Sequence, residues 1–341
     1  MGRPGTAAPC AATIVVAHRE RTAALARNVA AFAREAAANG GEVVVVDGSG
    51  ACEAERAAAA AMLAAGGGDG GVGADGAAGG AAGACASAAR PLIRIVPAPR
   101  EALVPTLWSL GIREAAGEVV ALTLATMRPE PGWLARARAR LADGRWAAVG
   151  GAIENAPARS PVHWAVYFAR YSNYVRPFAE HESDDLPGDN AAYRRDAFAP
   201  AQQLVEDAFW EPPVHDRMRR AGLRLLMDPG LVAHHHPAFG LFGFAAQRYR
   251  HGRHFGASRA AVAGAVGRAA GAARAPLVPA ILMARVVRRL VARRRHRLRF
   301  VAATPALCVF FAAWALGEAV GWLAGPGSEP TARSISRVGA S

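Results

Sequence analysis

Residues 13–50 read TIVVAHRERTAALARNVAAFAREAAANGGEVVVVDGSG, and this stretch decides the fold class. TIVVA is a short β-branched run closed by a polar turn over residues 18–22. Residues 23–38 follow as an Ala-rich helix with Leu25, Val29 and Phe32 at helical spacing. Asn39-Gly40-Gly41 stops that helix, and EVVVV at 42–46 is a second strand running into Asp47-Gly48-Ser49-Gly50. A strand that is apolar at every residue suits a parallel sheet covered on both faces, since neither face meets water. Strand, helix, strand is thus the beginning of a parallel α/β sheet. Ligands in such sheets bind beyond the carboxyl ends of the strands. His18, Arg19 and Asp47 therefore become candidate site residues.

The alternation continues outward. Residues 92–96 read as a third strand, 103–116 as a helix, 119–124 as a fourth strand. Residues 129–133 (PEPGW) open a helix that runs to about Leu141, and 146–153 return as a strand carrying Gly150-Gly151. A doubly wound domain alternates in this way. Residues 66–89 interrupt it with low-complexity Gly and Ala, too poor in large apolar groups to fold, and are expected to be a flexible insertion.

The chain has 341 residues and a formal net charge of +13, which suggests nucleic acid until the charge is located. Residues 1–240 carry 24 Arg against 25 Asp and Glu, while residues 241–341 carry 16 Arg against 2. The basic region is also the most apolar, which favours a membrane surface and disfavours nucleic acid as partner. Residues 300–323 hold one charge, Glu318, over the roughly ~20 residues a spanning helix needs. Residues 276–287 are too short to span and read as a membrane-surface element. Residues 288–299 contain seven Arg in twelve positions, which the positive-inside rule places in the cytoplasm. The expected organisation is a catalytic domain over 1–258, a basic amphipathic segment over 259–299, a transmembrane helix over 300–325 and a disordered tail over 326–341. A chain ending near Arg259 is expected to fold and be soluble. Cys10, Cys52, Cys85 and Cys308 lack metal-ligand spacing, so a disulfide framework is not expected. No apolar leader precedes the charged run at 18–21, and a signal peptide is not expected either.

Taken in order, several segments from residue 13 to residue 256 resemble family-2 glycosyltransferases. VVVVDGS at 43–49 resembles the family's V-V-D-x-S segment. Residues 111–133 resemble its G-I-x-x-A-x-G-E stretch, the following strand and a P-x-P-G-W-L helix start. LPGDNAAYRR at 186–195 resembles G-x-N-x-x-Y-R-R, and residues 209–222 resemble the acidic acceptor-side motif and its helix ending in R-x-A-G. Residues 232–236 match a late strand ending in His. The resemblance implies a GT-A fold, Rossmann-like and doubly wound with a mostly parallel sheet, followed here by C-terminal membrane helices. It implies sugar transfer from a nucleotide-sugar donor to a glycan or lipid-linked acceptor at the cytoplasmic membrane, with the catalytic domain facing the cytoplasm. It also implies Mg²⁺ or Mn²⁺, held by Asp-x-Asp at the end of the fourth strand. By spacing, those positions are Leu124-Ala125-Thr126, and a hard cation needs oxygen ligands that Leu and Ala lack. The family's A-R-N before G-I is replaced by Leu107-Trp108-Ser109-Leu110.

The acceptor-side position of the resemblance falls on Glu211, the candidate general base for an inverting displacement. Pro212 and Pro213 suit a first helical turn, so Glu211 is expected at a helix N-terminus that keeps it ionised, or merely caps that helix. Glu206, Asp207 and Asp216 compete with it. Asp47 is the candidate contact to base or ribose, with His18 and Arg19 beside it. Asp189 and Asn190 are candidates for sugar contacts, although an Asx-turn would use the same residues. In His234-His235-His236 successive side chains of a strand face opposite ways; only His235 matches the family position, as a metal or phosphate ligand. Residues 247–250 (QRYR) resemble the Q-x-x-R of processive synthases, making Gln247 and Arg250 candidates, with Arg250 able to pair with a diphosphate. A second reading is a catalytically impaired, glycosyltransferase-like binding or scaffold protein in a membrane glycan assembly.

Overall fold

A computed structural model describes residues 10–20, 22–49, 92–158 and 160–325, with four further positions (55, 57, 58 and 60). The Gly/Ala insertion over 66–89 and the tail over 326–341 lie outside the described residues.

The opening stretch folds as its pattern requires. Strand β1 (Ala12–His18) is buried at every residue. Helix α1 (Leu25–Ala38) buries Leu25, Val29, Phe32, Ala33 and Ala36, one stripe at the helical period. It ends where Gly40 takes a left-handed φ of 62°, a conformation that costs glycine nothing. Strand β2 (Glu42–Asp47) then pairs in parallel with β1, Thr13 opposite Glu42 and His18 opposite Asp47. The third strand, β3 (Ile93–Pro97), extends the sheet on the far side of β2. After helix α2 (Val104–Glu114), β4 (Val119–Leu124) returns to the other side of β1. The chain thus reverses direction across the sheet at β1, and the carboxyl ends of β1, β2 and β4 share one edge. Helix α2 lies very close to the sheet there: a Cβ on Gly111 would sit 2.1 Å from Val15 Cγ1.

The remaining strands are β5 (Met127–Pro129), β6 (Ala148–Asn155), β7 (His181–Glu182), β8 (Asn190–Arg194) and β9 (Leu225–His235). The sheet order is β3-β2-β1-β4-β8-β6-β9-β5, with β7 on β9. The sheet is mostly parallel, as expected, with β8 inserted antiparallel between β4 and β6. That insertion matters for the site. Because β8 runs the other way, its first residue, Asn190, pairs with Thr123 near the carboxyl end of β4. Asp189, one residue earlier, is therefore delivered to the shared edge.

Helices α3 (Trp133–Leu141), α4 (Pro161–Tyr171), α5 (Gln202–Asp207) and α6 (Glu211–Arg220) surround the sheet. The C-terminal third is helical: α7 (Leu241–Ala260), α8 (Ala265–Arg274), α9 (Val278–Arg293) and α10 (Arg297–Ala324). Of the described helices, α10 alone is long and apolar enough to cross a membrane. It is not free of the domain. Leu307 and Phe310 are fully buried in the same core as the sheet, and Phe310 meets Phe244 of α7 edge-on at 4.6 Å. A Cβ on Gly252 or Gly256 of α7 would lie 2.2 Å from a carbonyl oxygen of α10 (Trp314 or Glu318), and one on Gly317 or Gly321 would lie 2.0 Å from one of α7 (Tyr249 or Arg253). Reciprocal G-x-x-x-G spacing brings the two backbones into contact. A chain ending near Arg259, expected above to fold, would lack the partner that covers Phe244 and this glycine face.

Candidate active site

Glu211 is the first residue of α6, after Trp210 in extended backbone. No side-chain capping bond forms there. Its carboxylate instead turns over the 186–189 loop: a Cβ on Gly188 would sit 2.8 Å from Glu211 Oε1 and 2.7 Å from the Trp108 ring. The loop is locked to α6 one turn further on, where His215 bonds Asp185 through Nδ1 and meets the Tyr193 hydroxyl at 2.9 Å through Nε2. A fixed loop without a side chain at Gly188 leaves the carboxylate its place.

A cavity of about 200 Å³ opens beside it, lined by Trp108, Arg170, Tyr171, Asp189, Trp210, Glu211, Gln247, Arg248 and His251 among others. A larger hollow of about 830 Å³ lies at the opposite edge, by the first residues of β1 and β4, and contains none of the residues marked by the sequence. The smaller one is the candidate site because it brings together Asp189, Glu211 and Gln247 of the residues marked by the sequence.

Its electrostatics set the protonation states. Loss of water, then the nearby Asp189 carboxylate, push Glu211 up to about 8, against the opposing pull of its own backbone amide and of Arg170. The expectation that the helix N-terminus keeps Glu211 ionised is therefore corrected. A helix dipole contributes about 0.3–1 kcal/mol at such a position, less than removing a carboxylate from water costs. Asp189 accepts hydrogen bonds from Arg170 at 2.7 Å and from the Tyr171 hydroxyl. Burial works against the Arg170 charge, but Asp189, Tyr171 and Glu20 hold its pKa above the ordinary value. Burial raises Glu20 in the turn after β1, where the charges of Arg170 and Asp189 also act on it.

The other marked residues fall in distinct places. His18 and Asp47 lie side by side on neighbouring strand ends, His18 Nδ1 3.1 Å from Asp47 Oδ1, which also accepts the Ser49 amide at 2.8 Å. Arg19 follows at the same edge, and its charge is felt at Glu20 and His251. Asn190 is buried and fully used by the scaffold: Oδ1 accepts from Trp133 at 2.7 Å, and Nδ2 donates to the carbonyls of Ala152 and Leu231. Gln247 lines the cavity, but Arg250 is on the exposed side of α7 and lines none of it. Its neighbour Arg248 takes the inward position, 3.0 Å from Gln247 Oε1 and stacked over the rings of Phe244 and Trp314. Glu206 and Asp207 are absent from the lining, and Asp216 pairs outside with Arg220 at 3.0 Å.

The metal expectation fails its test of fit. Leu124, Ala125 and Thr126 are all buried at the end of β4. Among the described residues no three His, Cys, Asp or Glu side chains converge as a metal site needs. The three consecutive histidines diverge: His234 pairs with Glu130 at 3.0 Å, while His235 is buried against Tyr171 with its ring 5.0 Å away. Burial, then the charge of Arg170, hold His235 well below the ordinary imidazole range, and that same positive charge repels a metal cation.

Sequence reading missed Trp108 as a wall, and Arg170, Tyr171, Trp210, Arg248 and His251. The replacement of A-R-N by Leu-Trp-Ser-Leu pointed at Trp108, and the QRYR run at 247–250 contained Arg248 without marking it. Trp108 donates to the Thr123 carbonyl at 3.0 Å, and Ser109 Oγ accepts the Phe209 amide at 2.8 Å, so that segment ties α2 to the β4 end and to the approach of α6.

No family model matches the chain, and no curated protein matches it. Among solved structures, the chain is similar to the mannosyltransferase PcManGT from Pyrobaculum calidifontis in complex with GDP-Man and Mn²⁺, at 18% identity and a TM-score of 0.47, covering 91% of this chain and 89% of that one. It is also similar to GalNAc-T7 with UDP, GalNAc and Mn²⁺, at 16% identity and a TM-score of 0.45, covering 68% of this chain and 45% of that one.

Proposed function

We propose that this chain is a family-2-type glycosyltransferase that moves a sugar from a nucleotide-sugar donor to an acceptor hydroxyl by direct displacement, with inversion at the anomeric carbon. The observation that carries the reading is Glu211: a carboxylate near pKa 8, set between Trp108 and Trp210 and facing guanidinium groups in one cavity. A base titrating close to neutrality suits proton abstraction from a hydroxyl, because it is strong enough to take the proton and still available as carboxylate. The acceptor proton passes to Glu211 as the acceptor oxygen bonds the anomeric carbon. The bond from that carbon to the diphosphate breaks, and its electron pair leaves with the nucleoside diphosphate. The aromatic walls suit a sugar's apolar face, in keeping with a glycan or glycosylated lipid as acceptor.

The nucleotide end of the donor belongs at His18, Arg19 and Asp47. Asp47→Ala is expected to weaken nucleotide-sugar binding by about 1–3 kcal/mol, the scale of a lost hydrogen bond to a charged group. Titration calorimetry on the folded variant measures it, and unchanged affinity removes Asp47 from the site. The reading as a silent binding protein is supported by the loss of Asp-x-Asp and predicts nucleotide binding without turnover.

The membrane reading changes in geometry. Helix α10 exposes Leu298, Val301, Leu316 and Leu323, α9 exposes Ile281, Val287 and Val291, and the turn before α9 exposes Leu277. Standing α10 across a bilayer would carry the attached α7, with its exposed Arg250, into hydrocarbon at about 2.5–3.5 kcal/mol per central Arg. The α9–α10 surface therefore rests on an anionic leaflet, with the Arg run over 288–299 at the headgroups. The full chain is expected to sediment with membranes and to be released by alkaline carbonate. Retention in the carbonate pellet would mean that α10 spans.

A further inference from the structure

Arg248 is half-buried and, among the described residues, has no acid partner. Its Nη2 donates to Gln247 Oε1 at 3.0 Å and lies 3.3 Å from His251 Nδ1, while its Nε is buried and has no hydrogen-bond partner. Its rings, Phe244 at 4.8 Å and Trp314 at 5.4 Å, stabilise a cation but do not neutralise it. Among the described residues no carboxylate lies within ion-pair distance of Arg248. Arg170 does not help: its charge adds to burial in pushing Arg248 below the ordinary guanidinium range. Arg170 itself is occupied by Asp189 at 2.7 Å. Two guanidinium groups thus face one cavity, and its carboxylates, Asp189 paired to Arg170 and Glu211 above Gly188, leave Arg248 without a contacting acid. A buried charge is tolerated when it is paired. Arg248, pushed down to about 9, is still a cation near neutrality, and its guanidinium lacks a contacting negative group.

We propose that the missing group is the diphosphate of the donor, held by Arg248 with Arg170 beside it, and that these guanidinium groups take the charge-neutralising place that Leu124-Ala125-Thr126 cannot give to a metal. This rests on the transferase reading and adds to it the identity of the cation that stabilises the leaving group. The electron pair released from the anomeric carbon settles on a diphosphate oxygen facing a planar donor fork, a geometry that Arg offers bidentately. Gln247 and Trp314 hold that fork in place, and the reciprocal glycines of α7 and α10 hold Trp314.

The test is titration of the full-length protein in detergent with UDP, GDP, ADP, CDP, dTDP and inorganic pyrophosphate, each in EDTA and again in Mn²⁺. At least one nucleoside diphosphate is expected to bind in EDTA, with affinity within about threefold of that in Mn²⁺. Arg248→Met is expected to lose tenfold or more, while Arg248→Lys, which keeps the charge, loses much less; melting curves on both variants show that they are folded. Binding abolished by EDTA, or Arg248→Met binding like the parent, overturns the guanidinium assignment and leaves the transferase reading standing. Failure of every nucleoside diphosphate to bind in either condition overturns both.

Discussion

Glu211→Gln is expected to lower sugar transfer by about 10²–10⁴-fold, the usual contribution of a general base, while donor affinity barely changes. Gln keeps the shape over Gly188 and Trp108 but cannot accept the acceptor's proton. The same variant carries a stability signature of opposite sign. Glu211 is raised from 4.5 to about 8, so between those pH values the folded chain holds a proton that the unfolded chain releases. Stability from this group is greatest below the lower value, falls as pH rises through the window, and is fully lost above the upper one. Removing the carboxylate should therefore stabilise the protein at pH 8–9 by on the order of 1–2 kcal/mol after discounting for its partial exposure, and leave it unchanged near pH 4. Loss of stability with activity retained would instead mark Glu211 as a structural residue of α6.

Gly317→Leu is expected to be the most damaging single change outside the cavity. A Cβ at this position would lie 2.0 Å from the Tyr249 carbonyl oxygen, which is backbone and cannot turn aside. The helices must part, which uncovers the Phe310–Phe244 contact and withdraws Trp314 from Arg248. Overpacking of a tight contact costs about 3 kcal/mol when backbone has to move, and here the site moves with it. Both melting temperature and nucleotide binding should fall. Gly264→Ala is the control, since nothing lies within 4 Å of that position and its change should stay within about 0.5 kcal/mol. If Gly317→Leu melts like the parent, α7 and α10 are not in contact as described.

The strand-helix-strand opening was legible because a parallel strand must be apolar throughout, and TIVVA and EVVVV leave no other assignment. Asp47 and His18 followed from position alone, at the ends of those strands. Glu211 was placed by resemblance, but its protonation was misjudged, because a sequence shows a nearby helix end and hides the burial that outweighs it. Asn190 was marked as a sugar contact, whereas its amide ties β8 to the rest of the sheet. The largest miss was on α7. Arg248 and Arg250 point about 200° apart around a helix, and sequence could not say which side faces the site. That depended on glycines of two helices 61 or more residues apart in sequence, Gly256 and Gly317, whose meeting only the folded chain shows. Arg170 and Tyr171 were unmarked because only the antiparallel insertion of β8 brings Asp189 to them.

The most direct test is nucleoside diphosphate release from a panel of nucleotide-sugars, followed from pH 5.5 to pH 9 with and without acceptor. Transfer by a base at the position of Glu211 predicts release that rises about tenfold per pH unit and levels off near 8, with the rise absent in Glu211→Gln. A flat profile over that range, or one identical in parent and variant, would contradict the account.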